Sequence, residues 1–171
     1  MKEVLNNLRE QHQKILMMLD RPEQVEELIH FVEEVHHPLE EIELFPFMKD
    51  KPCLSQGGPR CSLYMGMRLG LDPLQRVRGH LEDFYRKTSF RPPHYPLPEW
   101  LTAQNPLSIP YEEHVIGAEL AKSLLFLSKP ENSSLRAEFF EKFYDDYCRL
   151  LRMHIDKEDN CLFIICERAL A

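Results

Sequence analysis

The sequence predicts an all-α protein: an antiparallel four-helix bundle with a Pro/Gly-rich, partly helical insertion between helices two and three. Three observations lead there. Apolar residues recur at helical spacing on both sides of a central region. That region holds nine of the thirteen prolines, between residues 50 and 110, and five of the six glycines, between 57 and 79. Finally, HHPLEEIELF at residues 36–45 returns in altered form as HIDKEDNCLF at 154–163.

The first helix is expected over about residues 3–20, on a stripe of Val4, Leu8, Ile15 and Leu19 with His12 in the gap. Asp20 and Pro22 supply a stop and a new start. The second, over about 22–49, carries Val25, Ile29, Val32, His36, Glu40 and then Leu44 or Phe47. The third, over about 110–128, aligns Tyr111, His114, Ala118, Ala121 and Leu125. The fourth, over about 133–168, aligns Phe140, Tyr144, Tyr147, Leu151, His154, Glu158 and Ile165. At 171 residues the whole chain reads as one domain, with the insertion at about 50–107.

Composition narrows the function classes. A net charge of −7 gives no footprint for nucleic acid. No apolar run reaches the roughly 20 residues of a membrane span. The opening MKEVLNNLREQHQ is polar rather than signal-like, so the cytoplasm is the expected compartment. Five cysteines without a CxxC pair argue against a disulfide framework or a zinc ribbon.

Polar residues occupy positions where the stripes call for apolar ones. Each helix interrupts its stripe with a histidine, and two add a glutamate one turn later. Positions i and i+4 share a helix face, so His36 with Glu40 and His154 with Glu158 can point inward together. An unpaired carboxylate in a core costs several kcal/mol. Two carboxylates among four imidazoles make physical sense if cations neutralise them. A single such histidine is more often a hydrogen-bonded core residue, and a single HxxxE is an ordinary surface pair. The joint pattern points instead to a two-metal site built from His12, His36, Glu40, His114, His154 and Glu158. Glu-x-x-His on two helices, the pattern of ferritin-like sites, is not met, because Leu151 stands where the second glutamate would be.

These residues resemble the hemerythrin-like, or HHE cation-binding, family: His12 in EQHQKIL, His36 and Glu40 in HHPLEEIELFP, His114 in EEHVIGAEL, and His154 and Glu158 in HIDKEDNCLF. The resemblance covers about residues 1–50 and 108–168. It implies an up-down bundle holding two iron ions in an Fe–O–Fe type centre, with small diatomic or peroxide ligands. Mixed imidazole and carboxylate donors suit iron, manganese or zinc. Six ligand residues would leave open positions for O₂, peroxide or NO.

The chain departs from that pattern in its middle. GGPRCSLYMGMRLG has the expected turn, but Met67 and Arg68 fall near where a Glu-His is expected, and Glu113-His114 comes much later. Within the extra stretch Asp72-Pro73 reads as a helix start, followed by Leu74, Val77, Leu81 and Phe84. His80, beside that stripe, is the reserve ligand should His114 be misplaced. His37 lies about 100° round the helix from His36 and is expected outside the ligand set or facing solvent. Pro38 should bend its helix or remove a backbone bond near the site. Three functions follow as expectations: a di-iron protein that binds or senses O₂, peroxide or NO; a di-iron oxygenase or peroxidase using the 50–107 insertion as pocket or lid; and a regulatory module for a partner protein.

Overall fold

The computed structural model describes residues 1–56 and 74–171, and the chain there is all-helical, with no strand among the described residues. Five helices exceed one turn among them. α1 is Lys2–Met18, and α2 runs unbroken over residues 25–48. α3 is Gln75–Lys87, α4 is Ser108–Leu127, and α5 runs over residues 133–169. Short 3₁₀ turns at Pro22–Gln24 and Pro130–Asn132 lead into α2 and α5, where the fixed φ of proline suits a first helical turn. The GGP turn, Met67, Arg68 and Asp72-Pro73 lie outside the described residues.

Two apolar clusters divide the interior. One gathers Ile15, Val32, Leu120, Leu124, Tyr147 and Leu151. The other gathers Leu8, Leu44, Phe45, Tyr111, Leu162 and Phe163. Chain order between them fixes direction: α1 and α4 run from the second cluster to the first, and α2 and α5 run the opposite way. No helix among the described residues is long and apolar enough to cross a membrane.

α3 is a full member of the core. Val77, Leu81 and Phe84 are buried in the first cluster, and the Phe84 ring lies 5.2 Å from those of both Phe139 and Phe143. This fifth helix explains two differences from the expected stripes. On α5, Phe139 and Phe143 are fully buried, whereas Phe140 and Tyr144 are only half-buried. On α4, Leu124 is buried and Leu125 is exposed. A stripe drawn for four helices misses the second face that a fifth neighbour covers. α4 and α5 pack closely enough that a Cβ on Gly117 would stand 3.4 Å from Leu150 Cδ2, an ordinary contact. Gly117→Ala should therefore stabilise the protein, by about 0.5–1 kcal/mol from helix propensity. A melting temperature below wild type would contradict that.

Three π-turns interrupt the long helices, at Val32–His36 and Glu40–Leu44 in α2 and at Glu158–Leu162 in α5. A π-turn bonds i to i+5 and so takes in one extra residue. Adjacent residues at its end can then both face inward. His36 and His37, Leu44 and Phe45, and Leu162 and Phe163 are each pairs of buried neighbours. Pro38 and Pro46 each fall two residues after such a turn, where the missing proline N–H already loosens the α ladder.

Cys53, Cys148 and Cys166 are free thiols. Cys161 is disulfide-bonded; the sequence argued against a disulfide framework, and the other three described cysteines are free.

Candidate metal centre

Between the two apolar clusters lies a buried layer of histidines and carboxylates. His12 comes from α1, His36, His37 and Glu40 from α2, His114 from α4, and His154 and Glu158 from α5; none is more than 3% exposed. They form two groups able to hold a metal ion, His12 with His36, Glu40 and Glu158, and His37 with Glu40, His114 and His154. Within each group one donor atom per residue lies within 4.8 Å of all the others. A metal takes nitrogen and oxygen donors at roughly 2.0–2.2 Å, so donors on opposite sides of one ion stand a little over 4 Å apart. The observed spread needs only a small contraction.

Glu40 belongs to both groups. Its Oε1 lies 3.3 Å from His36 Nε2 and 3.9 Å from His12 Nε2. Its Oε2 lies 3.2 Å from His114 Nε2 and 3.7 Å from His154 Nε2. Glu158 Oε2 stands 3.3 Å from His12 Nε2 and 3.4 Å from His154 Nε2. These are ion-pair distances, yet none aligns as a hydrogen bond. The Nε2 atoms of His12, His36, His114 and His154 and all four oxygens of Glu40 and Glu158 are buried without a hydrogen-bond partner. Leaving a buried polar atom unmade costs about 1–3 kcal/mol each. Atoms that converge on common points rather than on one another fit cations placed between them.

The opposite edges of the same rings are fully held. His12 Nδ1 donates to Asp159 Oδ1 at 2.9 Å, and His36 Nδ1 to Gln11 Oε1 at 3.0 Å. His114 Nδ1 donates to Glu41 Oε1 at 2.6 Å, and His154 Nδ1 to Glu113 Oε2 at 3.0 Å. A proton fixed on Nδ1 leaves the Nε2 lone pair facing inward, which is how outer partners prepare a histidine ligand. The four partners make a closed circuit. Gln11, Glu41, Glu113 and Asp159 each neighbour a central residue in sequence, and each serves the histidine of the next helix, α1 to α2 to α4 to α5 and back to α1. Lys157 pairs with Glu113, the Tyr95 hydroxyl donates to Glu41, and the Gln11 amide donates to Asn7 Oδ1 at 3.1 Å, so three circuit members carry a further partner.

The charges agree with a cation-seeking cluster. Burial opposes an imidazolium at His12, but the carboxylates of Asp159, Glu158 and Glu40 outweigh it and raise its pKa to about 11. Burial likewise opposes charge on His114, where Glu40 and Glu41 lift the value to about 9. His36 has only the neutral Gln11 behind it; burial lowers it to about 3 despite Glu40. Burial, then the nearby Glu40 charge, pushes Glu158 up to about 7. Glu40 is held well below the carboxylate range against its burial, by His36 first among the surrounding imidazoles. Positive charge is favoured at His12 and His114, where carboxylates outweigh burial, and disfavoured at His36 and His37, where burial prevails.

The six residues singled out from the sequence therefore lie in this layer. His37 also lies in this layer, which overturns the solvent-facing alternative expected for it: it is buried, and its ring stacks on His114 at 3.8 Å. The π-turn ending at His36 supplies the missing rotation. A signal for it existed in the paired prolines and in the adjacent buried residues of Leu44-Phe45 and Leu162-Phe163. His80 lies elsewhere; its Nδ1 donates to the buried Asp146 at 2.5 Å, beside Arg76 at 2.6 Å from the same carboxylate. The outer partners Gln11, Glu113 and Asp159 were not foreseen, and no hydrophobic spacing marks them.

Compared with known proteins, the chain matches no protein-family model, no curated sequence and no solved structure.

Proposed function

We propose that this is a hemerythrin-like, up-down four-helix bundle that holds two iron ions and uses them to bind or sense O₂, peroxide or NO. One observation carries the reading: eight buried, unpartnered donor atoms from four helices converge around a carboxylate common to two groups. The alternating directions of α1, α2, α4 and α5 support the bundle, with α3 as an added fifth helix. The donor set of imidazole and carboxylate supports iron over thiolate-preferring ions, with manganese and zinc as competitors. Bound iron would supply redox chemistry and open coordination positions for a small ligand.

The chain's own residues set the conditions. Glu40 and Glu158 provide the negative charge that retains cations. The circuit of Gln11, Glu41, Glu113 and Asp159 fixes tautomer and ring orientation. His12 stacks on Phe163 at 5.2 Å, and Phe45 lies 5.5 Å from the His114 ring, so apolar walls close the layer and restrict water.

The enzyme alternative has a specific observation to weigh. The Pro-rich stretch and α4 enclose cavities of about 520 and 420 Å³, large enough for a small substrate. None of the seven central residues lines either cavity, which favours uptake of a very small ligand over turnover of an organic substrate. Anaerobic iron loading followed by O₂, monitored by optical spectroscopy, separates the two. A lasting oxygenated spectrum supports binding; rapid decay with an oxidised product supports an oxygenase or peroxidase.

The placement of His37 gives a sharper test of the geometry. His36→Gln and His37→Gln should each lose metal, the first chiefly from the group containing His12 and the second from the group containing His114. Full metal content in His37→Gln would return His37 to a packing role and require the second group to be redrawn.

A further inference from the structure

The Pro-rich stretch between α3 and α4 reaches the metal layer through a hydrogen bond from Tyr95. It is pinned at both ends by aromatic contacts. Phe90 lies 4.6 Å from Phe126 and 6.0 Å from Phe84, and Trp100 lies 5.9 Å from Tyr111. Between these anchors runs FRPPHYPLPEW, whose prolines stiffen the backbone. Arg91, Pro93, His94, Tyr95 and Leu97 bridge over Val115, Ala118 and Lys122 of α4, enclosing the cavity of about 420 Å³. From the middle of this span the half-buried Tyr95 hydroxyl donates to Glu41 Oε1. The same oxygen accepts from His114 Nδ1.

We propose that Tyr95 is a positioning residue for the metal centre, acting through Glu41 on His114. This rests on the metal reading above. Among the described residues, Glu41 has no hydrogen-bond partner on its own helix, and its side chain is 21% exposed, facing water as well as His114. A carboxylate so placed can rotate toward solvent, leaving His114 free to change tautomer and turn its ring. The Tyr95 hydroxyl takes up a lone pair of the working oxygen and holds the carboxylate in register. Glu113 is held by Lys157 through its other oxygen, Oε1, while Oε2 accepts from His154. The consequence is a direct link from an external strap to one ligand of the second group. Whatever shifts the strap, including a molecule lodged in the cavity beneath it, acts on the His114 side of the centre and not on the His12 side.

Cobalt(II) is the probe, because its visible bands report ligand geometry and its affinity can be measured without turnover. The experiment compares the full chain with Tyr95→Phe, Glu41→Gln and the double variant. Tyr95→Phe keeps the ring and its packing. Removing a group behind a metal ligand costs roughly 10–100-fold in affinity, which is expected for Glu41→Gln; a group one bond further out should cost about threefold to tenfold. Tyr95→Phe should also alter the visible bands, while the melting temperature without metal stays at the wild-type value. The double variant should bind no more weakly than Glu41→Gln alone. Wild-type bands and affinity in Tyr95→Phe would overturn the proposal. So would an equal loss on adding Tyr95→Phe to Glu41→Gln, because the effect would not run through Glu41. A lowered melting temperature with unchanged bands would reduce Tyr95 to a packing residue. Failure of the wild type to take up cobalt would overturn the metal centre itself, and is distinguished because it precedes any variant.

Discussion

Replacing Glu40 with alanine is expected to abolish binding at both metal positions together, leaving less than one ion per chain after desalting. The reason is geometric. Its two oxygens face different histidine pairs, Oε1 toward His12 and His36 and Oε2 toward His114 and His154. No other residue belongs to both groups. Removing a partner behind a ligand typically costs roughly 10–100-fold in affinity, and loss of a shared ligand should exceed that range at each position. Glu158→Ala should act more locally, depleting chiefly the group of His12 and His36. Glu40→Gln provides a shape-matched control that removes the charge. Elemental analysis checks all three; two ions retained in Glu40→Ala would contradict the role assigned to this carboxylate.

Metal removal should produce a large loss of stability. A buried layer of five imidazoles and two carboxylates is a poor core without a cation, because its central atoms lack hydrogen-bond partners. A ligand present at 1,000 times its dissociation constant stabilises the folded state by about 4 kcal/mol per site. For a chain of this size each kcal/mol shifts the melting temperature by roughly 2–4 °C. One filled position should therefore raise it by roughly 8–16 °C, and two by more. Thermal melts of metal-loaded and chelator-treated protein check this, and the chelated protein should recover on reloading. Superimposable melts would mean that no metal couples to folding.

The physical reasons for what could be read in the sequence differ from residue to residue. His12, His36, Glu40, His114, His154 and Glu158 were legible because each breaks an apolar stripe, and an ionisable residue in a core demands a partner. His37 was not, because a fixed 3.6-residue period has no place for the extra residue of a π-turn. The outer circuit was hidden for another reason. Glu41, Glu113 and Asp159 sit beside their central neighbours as Glu-Glu, Glu-His and Glu-Asp pairs, and in sequence such residues look like solvated charge. Only the tertiary arrangement, in which each reaches the next helix, gives them a task. The helices were legible at the level of existence, including the stripe of Val77, Leu81 and Phe84 that became α3. That α3 enters the core, and thereby turns Phe139, Phe143 and Leu124 inward, depends on packing that periodicity in one helix does not contain. Tyr95 could not have been found from spacing at all, since it lies in a stretch whose only regularity is proline.

On the proposed reading, Glu40 would contribute to holding a metal ion in each of the two groups it shares. X-ray absorption on protein loaded anaerobically with iron and then desalted tests it most directly. The account predicts a mixed nitrogen and oxygen shell with imidazole scattering, together with a metal–metal path at about 3.5–4 Å, the separation usual for two-metal sites. An isolated ion without a metal–metal path, or a shell without imidazole, would contradict it.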